Sequence, residues 1–235
     1  ARRRIAVVIR ILIRLQAARP AVARIPLLLA LAPLAAGCGG RGAAADGDGA
    51  TAGLIQVTGS DTMLQLAQGW AEAYRLAQPG QAIAVTGGGS GAGIAALING
   101  TTDIANASRH IKDEEEAKLP APPQEYQVAV DALAVVVHPD NPVERVSLPQ
   151  LSAIYQGEIR NWSQLGGRDA PIVLLSRETN SGTHVYFLEE VLRLGDKESR
   201  AIFASRTLLM PSSVGITSEI RRNPNAIGYD GLGYV

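Results

Sequence analysis

Residues 82–99 read AIAVTGGGSGAGIAALIN, and this stretch contains the unit on which the fold depends. Residues 82–85 have the composition of a short strand, and a glycine-rich loop follows directly. Ile94 and Leu97 then recur at helical spacing up to Gly100, a residue that commonly ends helices. The stretch therefore predicts a strand, a tight loop and a helix in succession.

The same alternation of strands and helices extends in both directions from this unit. Apolar runs suited to strands lie at residues 54–57, 82–85, 103–106, 128–137, 172–175 and 226–229. Helical patterns lie at residues 63–77, 94–99, 112–119, 148–155 and 181–194, and a later helix ends near residue 222. Alternation of this kind predicts an α/β fold with mostly parallel sheets flanked by helices. A chain of 235 residues, 46% of them apolar, can bury one large core or two modest ones.

Charge is distributed unevenly along the chain, although 22 basic residues balance 22 acidic ones overall. Seven Arg precede Cys38, whereas the first acidic residue is Asp46. Beyond that basic segment, 15 basic residues remain against 22 acidic ones, a balance of about −7. Such a surface argues against a nucleic-acid partner, which would need a basic stripe. A small anion would have to be held by local donors.

The first part of the chain has the layout of a secretory signal peptide. Basic residues precede the apolar run IPLLLALAPLAA at residues 25–36, and small residues lead into Cys38. The junction resembles a bacterial lipobox, with Leu34 one place earlier than usual. We predict a lipoprotein signal peptide at 1–37, lipidation of Cys38 and a flexible tether at 38–53, which would anchor an extracytoplasmic protein to the membrane. The alternative is an ordinary secretory leader followed by a free cysteine. A single cysteine excludes an internal disulfide.

Three loops share one design, in which a strand ends and Gly, Ser or Thr residues lead into a helix. They read GSDTM at 59–63, GGGSGAG at 87–93 and SRETNSGTH at 176–184. Helix N-termini present unpaired N–H groups and partial positive charge, which suit an oxyanion. One such loop is weak evidence, because Ser, Thr or Asp at a helix start is commonly an N-cap. Three of them, in a fold whose loops gather at the carboxyl ends of strands, predict a shared anion site.

Enzymatic interpretations fit these loops less well. GGGSGAG lacks the Lys-Ser/Thr ending of a P-loop, and Ala92 replaces the last Gly of a G-x-S-x-G elbow. His110, His138 and His184 show no metal-ligand spacing, and His184 is expected on the surface or behind the site. We therefore predict a binding protein with no catalytic residue, metal or cofactor.

From Leu54 onward the chain resembles the phosphate-binding proteins of the Pst transport system, within the class II periplasmic-binding fold. The matching stretches, in the family's order, are GSDTM, GGGSGAG, TTDIANASR, VDALAVVVHPDNPV, LSAIYQGEIRNWSQLGG, SRETNSGT and AIGYDGLGYV. The resemblance implies two α/β lobes joined by crossing segments, with residues 54–132 and 226–235 in lobe I and residues 133–225 in lobe II. It also implies that lobe I is incomplete at the C-terminus.

The resemblance further implies which residues bind the anion. The first loop would contribute the Thr62 hydroxyl and the Met63 N–H, and the glycine-rich loop would contribute Ser90. The third loop would contribute an Arg and the Ser-Gly-Thr that follows it, namely Arg177, Ser181, Gly182 and Thr183. A guanidinium can bond two oxygens of a tetrahedral anion at once. The alternative for Arg177 is an ion pair at the surface or between lobes, for example with Glu178.

The chain departs from the family at the carboxylate that accepts the proton of hydrogen phosphate. Many relatives have an Asp at the position of Ser108, whereas a variant of the family has a Ser-Arg pair, as here with Ser108 and Arg109. The resemblance implies that both contact the anion, and that Asp131 or Asp61 supplies the acceptor. Asp131 is unusual within its apolar run. Two alternatives stay open: Asp131 could pair with Arg109, and Asp61 could cap its helix.

The resemblance thus implies a monomeric extracytoplasmic receptor that binds inorganic phosphate between two lobes and delivers it to the permease subunits of an ABC importer. A receptor for sulfate, molybdate or tungstate is the nearest alternative. A secreted phosphatase and a surface lipoprotein without a ligand are more distant ones.

Overall fold

The computed structural model describes the backbone of residues 6–13 and the whole of residues 53–235. The strands are β1 (Ala6–Ile13), β2 (Ile55–Gly59), β3 (Ile83–Thr86), β4 (Ile104–Ala107), β5 (Gln124–Val137), β6 (Val173–Arg177), β7 (Leu208–Met210) and β8 (Ala226–Gly231). The α-helices are α1 (Leu64–Ala77), α2 (Ser90–Asn99), α3 (Asp113–Glu116), α4 (Leu148–Gln156), α5 (Gly182–Tyr186) and α6 (Ser213–Arg222). A π-helical segment, Phe187–Leu192, continues α5, and short 3-10 turns lie at Asp61–Met63, Trp162–Leu165 and Leu232–Tyr234.

The strands follow one another in the order β3-β2-β4-β1-β5-β8-β6-β7. On one side, β2 pairs in parallel with β3 and β4, and on the other side β6 pairs in parallel with β7 and β8. The helices flank these parallel pairs. The predicted α/β class with mostly parallel pairing is confirmed, while β1 and β5 add antiparallel neighbours.

The long strand β5 belongs to both halves of the sheet. Its residues 124–132 pair with β1, and its residues 133–137 pair with β8. The partner therefore changes between Ala132 and Leu133, the position at which the sequence predicts the boundary between the lobes.

Local sequence sets the ends of the helices. Gly100 follows α2 and Gly157 follows α4, and each adopts the left-handed conformation that glycine accepts at low cost. Ser147 caps α4 by accepting from the Gln150 N–H at 3.3 Å. The predicted helix at 181–194 is divided into α5 and the π-helical segment, and it ends before Leu194, which has a positive φ.

The described residues form three apolar clusters, one of which contains Leu175, Ile216, Ile220 and Ala226. The core of the first half contains Ile94, Leu97, Ala105 and Ala107. The larger core of the second half contains Tyr155, Trp162, Phe187, Ile227 and Tyr229 among others, and the Phe187 and Tyr229 rings stack with centroids 3.7 Å apart. The sequence assigned residues 226–235 to lobe I. In the structure residues 226–231 form β8, which pairs with β5 and β6 and supplies Ile227 and Tyr229 to the larger core. The lobe assignment of residues 226–235 stays a prediction.

The predictions for the N-terminal segment fall largely outside the described residues. Residues 6–13, within the predicted signal peptide, form β1, and residues 14–52, including Cys38, are not described. The signal peptide, the tether and the lipidation of Cys38 stay predictions. Among the described residues, no helix has both the length and the apolar character needed to cross a bilayer.

Candidate functional site

The three predicted loops meet at the carboxyl ends of β2, β3 and β6, and the loop after β4 joins them. Asn180 links two of them across the molecule: its carbonyl accepts from the Gly91 N–H at 2.8 Å, and its side-chain amide donates to the Gly88 carbonyl at 2.9 Å. Gly182 packs directly on Ser90 and Ser108, with no space for a Cβ between them. Loops from both halves of the chain therefore form one site.

A cluster of hydroxyl groups forms the first side of the site. Thr62 Oγ1 lies 2.8 Å from Ser60 Oγ and 2.7 Å from Ser108 Oγ, and the Ser60 and Ser108 hydroxyls also bond to each other. Ser90 Oγ accepts from the Ser108 N–H at 3.0 Å. Ser60, Ser90 and Ser108 are buried. Each hydroxyl can rotate to donate to an anion.

Arg177 forms the second side of the site. It is the last residue of strand β6, and its side chain is 1% exposed. One terminal nitrogen donates to Asp61 Oδ2 at 2.7 Å, and the other donates to Ser213 Oγ at 2.8 Å. The Pro211 carbonyl accepts a further, longer bond of 3.3 Å. The structure thus gives Arg177 an ion pair between the two halves of the chain, as the alternative from the sequence allowed, with Asp61 as the partner in place of Glu178.

Asp61 joins the two sides. Besides Arg177, it accepts from the Gly88 N–H through Oδ1 at 3.2 Å, so it does not serve as the helix cap that the sequence left open. Its own carbonyl accepts from the Tyr234 hydroxyl at 2.7 Å. The Met63 N–H, expected to face the ligand, donates to the Ser60 carbonyl at 3.2 Å, and the Met63 side chain is buried.

The third loop supplies buried polar groups at the start of α5. Ser181 and Thr183 are both buried, and the Gly182 backbone lies against Ser90. His184 is also buried, and its Nδ1 donates to the Arg177 carbonyl at 2.9 Å. Burial lowers the pKa of His184, which favours the neutral ring. Of the two places expected for His184, the surface and the region behind the site, the structure shows the second.

Arg109 and Asp131 are placed differently from the other predicted residues. Arg109 forms a two-point ion pair with Glu115, with both N–O distances 2.7 Å, because α3 brings this carboxylate beside it. The alternative pairing of Arg109 with Asp131 is therefore wrong. Asp131 Oδ1 accepts from the Ala132 N–H at 2.8 Å. A Cβ added at Gly231 would lie 2.5 Å from Asp131 Oδ2 and 3.5 Å from the Thr62 methyl, so Asp131 lies at the rim of the hydroxyl cluster.

Comparison with known proteins identifies the family. The model of the PBP superfamily domain matches residues 44–235. The chain is 34% identical to the phosphate-binding protein PstS of Pseudomonas aeruginosa, over 88% of this chain and 70% of that protein, and 32% identical to PstS of Bacillus subtilis, over 89% and 69%. The chain belongs to the PstS family of the PBP superfamily.

Solved structures agree with this assignment. A protein of Clostridium perfringens described as a phosphate ABC transporter substrate-binding protein, solved with bound phosphate, is 34% identical, with a TM-score of 0.71 over 78% of this chain and 72% of that one. A phosphate transport receptor of Vibrio cholerae, also 34% identical, gives a TM-score of 0.56 over 77% and 72%. The predicted resemblance and the two-lobed binding-protein fold are confirmed.

The sequence reasoning missed three polar residues that this member of the PstS family brings to the site. Ser60 completes the hydroxyl cluster, and Ser213, at the start of α6, bonds to Arg177. Asp230 lies on β8 with 0% of its surface exposed, and its Oδ1 accepts from Ser213 Oγ at 2.9 Å. A carboxylate inside the apolar strand AIGYDG was a usable signal, since the same reasoning selected Asp131.

The arrangement can hold a small tetrahedral anion between hydroxyl donors and a buried guanidinium. Among the residues with described side chains, no group of three or more His, Cys, Asp or Glu is placed to bind a metal ion. The donor set of hydroxyls, backbone N–H groups and one Arg suits anion binding in a PstS-family protein.

Proposed function

We propose that this chain binds inorganic phosphate between its two lobes and delivers it to the membrane subunits of an ABC importer, without chemistry on the ligand. The observation that carries the proposal is the convergence of four loops from both halves of the chain on Arg177 and the hydroxyls of Thr62, Ser90 and Ser108. The relatives named as phosphate-binding and substrate-binding proteins support it.

The donors of this site match the needs of a phosphate oxyanion. Charge-assisted hydrogen bonds from a guanidinium and from hydroxyls are about twice as strong as neutral ones. Ser181 and Thr183 are buried in the other half of the chain, on either side of Gly182, whose backbone touches Ser90. An anion held between the halves would therefore favour the state in which they are in contact.

Asp61 is our candidate for the carboxylate that distinguishes phosphate from sulfate. Its two oxygens accept from the Gly88 N–H and from Arg177, and each retains a second lone pair. A lone pair can accept the proton of hydrogen phosphate, whereas sulfate would bring only negative charge. Sites that recognise a ligand proton in this way can reject the analogue by about 10⁴–10⁵. Asp131, at the rim, is the second candidate.

We also propose that the protein acts outside the cytoplasm, held to the membrane by lipid on Cys38. The proposal rests on the lipobox-like sequence before Cys38 and on the extracytoplasmic role that the family resemblance implies. Metabolic labelling with a fatty-acid analogue in a bacterial host tests it: wild type should carry label in the membrane fraction and Cys38→Ser should not. Label retained by Cys38→Ser would contradict it.

Calorimetric titration with phosphate and with sulfate tests the binding function. Wild type should bind phosphate in preference to sulfate. Arg177→Ala should lose most of the affinity, because removal of one partner from a buried charged pair leaves Asp61 uncompensated. Arg75→Ala is the matched control, since Arg75 is exposed and pairs with Glu72 on α1.

Three outcomes would count against the proposal. The first is wild-type protein that binds no oxyanion, and the second is equal affinity in Arg177→Ala and wild type. The third is tighter binding of sulfate than of phosphate, which would favour the alternative receptor. Asp61→Asn adds a check on selectivity: its preference for phosphate should fall by at least about tenfold, through loss of one charged hydrogen-bond acceptor.

A further inference from the structure

A buried carboxylate, that of Asp230, lies beside the guanidinium nitrogen of Arg177 that does not bond to Asp61. Asp230 Oδ1 accepts from Ser213 Oγ at 2.9 Å and from the Gly231 N–H at 2.8 Å. Ser213 Oγ in turn accepts from Arg177 at 2.8 Å, and Asp230 Oδ1 lies 3.8 Å from the same guanidinium nitrogen. One hydroxyl therefore connects Asp230 to the residue expected to hold the anion.

Two polar atoms of this arrangement are buried without a hydrogen-bond partner in residues 53–235: Arg177 Nε and Asp230 Oδ2. An unpaired buried polar atom is costly, and an ionised oxygen is more costly than a protonated one. Burial raises the pKa of Asp230 above its ordinary value, although Arg177 and the bonds from Gly231 and Ser213 act in the opposite direction. The neutral form of Asp230 is thus favoured relative to an exposed Asp.

The charged and titratable groups around Asp230 determine whether it would gain a proton when an anion binds. The groups facing it from neighbouring elements are Arg177 on β6, Asp61 on the turn after β2, Asp131 on β5 beside Gly231, and Tyr229 and Tyr234 on its own segment. The first turn of α6 contributes Ser213 and no acidic residue. One guanidinium therefore serves both Asp61 and Asp230. Arg109, a second cation near these loops, is paired with Glu115.

We propose that Asp230 positions Arg177 through Ser213 and takes up one proton from solvent when a phosphate dianion binds beside the guanidinium. This inference rests on the proposed function. A dianion next to Arg177 would add to the negative charge of Asp61 and of an ionised Asp230, with one cation to balance them all. Protonation of Asp230 removes one negative charge and leaves its Oδ1 free to accept from Ser213. Sequence similarity alone does not indicate this role.

The pH dependence of phosphate binding tests the proposal. Calorimetric titrations of wild type and Asp230→Asn are compared between roughly pH 6 and pH 9. Phosphate itself titrates in both proteins, so the difference between the two profiles isolates Asp230. In wild type, log Kd should rise with pH relative to Asp230→Asn, with a difference in slope approaching about one, because one linked proton gives that limit. Parallel profiles would overturn the proton uptake.

Two further variants separate positioning from a general loss of structure. Ser213→Ala removes the link between Asp230 and Arg177 and should weaken phosphate binding by about tenfold at every pH. Equal affinity in Ser213→Ala and wild type would overturn the positioning role. Asp113→Asn, at an exposed position on α3, is the control and should match wild type in affinity and slope.

A direct measurement covers the case in which Asp230→Asn does not fold. The infrared difference spectrum of wild type, with phosphate minus without, should show the carbonyl band of a newly protonated carboxyl group. Absence of the band in protein that binds phosphate would overturn proton uptake and leave the proposed function intact. Wild type that binds no phosphate would instead contradict the proposed function itself.

Discussion

Gly182 offers a test of the contact between the two halves that leaves each half unchanged. A Cβ at this position would lie 2.6 Å from Ser90 Oγ, 3.0 Å from Ser108 Cβ and 3.1 Å from the Ser108 carbonyl carbon. Ordinary contacts need about 3.4 Å or more, so the loops would have to separate by several tenths of an ångström. The φ of Gly182 is not in the left-handed region, so Ala adds no backbone strain.

The expected result for Gly182→Ala is weaker phosphate binding with nearly unchanged thermal stability. If the separation breaks one charge-assisted hydrogen bond to the anion, worth about 1.5–3 kcal/mol, then Kd rises roughly 10- to 150-fold. Calorimetry gives Kd, and a thermal unfolding curve without ligand gives Tm. Gly69→Ala is the control, since a Cβ there meets no atom within 4 Å. Wild-type affinity in Gly182→Ala would refute the reasoning.

Three further predictions concern stability. Gly93→Ala would place a Cβ 2.5 Å from the Thr58 carbonyl oxygen, and should cost about 1–3 kcal/mol in urea unfolding, whereas equal stability would contradict the packing of α2 on β2. Phe187→Ala removes a fully buried ring stacked on Tyr229 and should cost about 3–5 kcal/mol in the same assay. His184 has a pKa lowered by burial below 6.5, so its contribution is complete above that pH and declines below it as the unfolded chain binds the proton first. His184→Gln should therefore flatten the loss of unfolding free energy between neutral and mildly acidic pH, and an unchanged slope would contradict this.

Most of the fold was predictable because its signals are local. The strand, loop and helix at residues 82–99 appear as β3, the glycine-rich loop and α2, and Gly100 ends the helix as expected. The placement of β8 was not predictable in this way. Pairing depends on which sheet has a free edge, and the apolar composition of residues 226–231 suits either half.

The site residues that belong to the loop motifs were predictable from sequence. The contacts that they make with residues outside those motifs were less so. Thr62, Ser90, Ser108 and Arg177 are brought together as expected. The ion pair of Arg109 with Glu115, six residues away, was not predicted, because it depends on the turn into α3 that places the two side chains together. The role of Ser213 could not be read from sequence, since its contact with Arg177 joins residues 36 apart.

The length of β5 determines where this chain can tolerate an inserted residue. Successive side chains of a strand point to opposite faces. The first part of β5 is in register with β1, and the second part is in register with β8. Its first part holds Asp131 beside Gly231, while its second part packs Leu133 against the larger core. A single residue inserted between Ala132 and Leu133 would turn over every side chain on one side of the insertion, unless a bulge absorbed it. Insertions should therefore be tolerated in the loops around this strand and rejected at its middle.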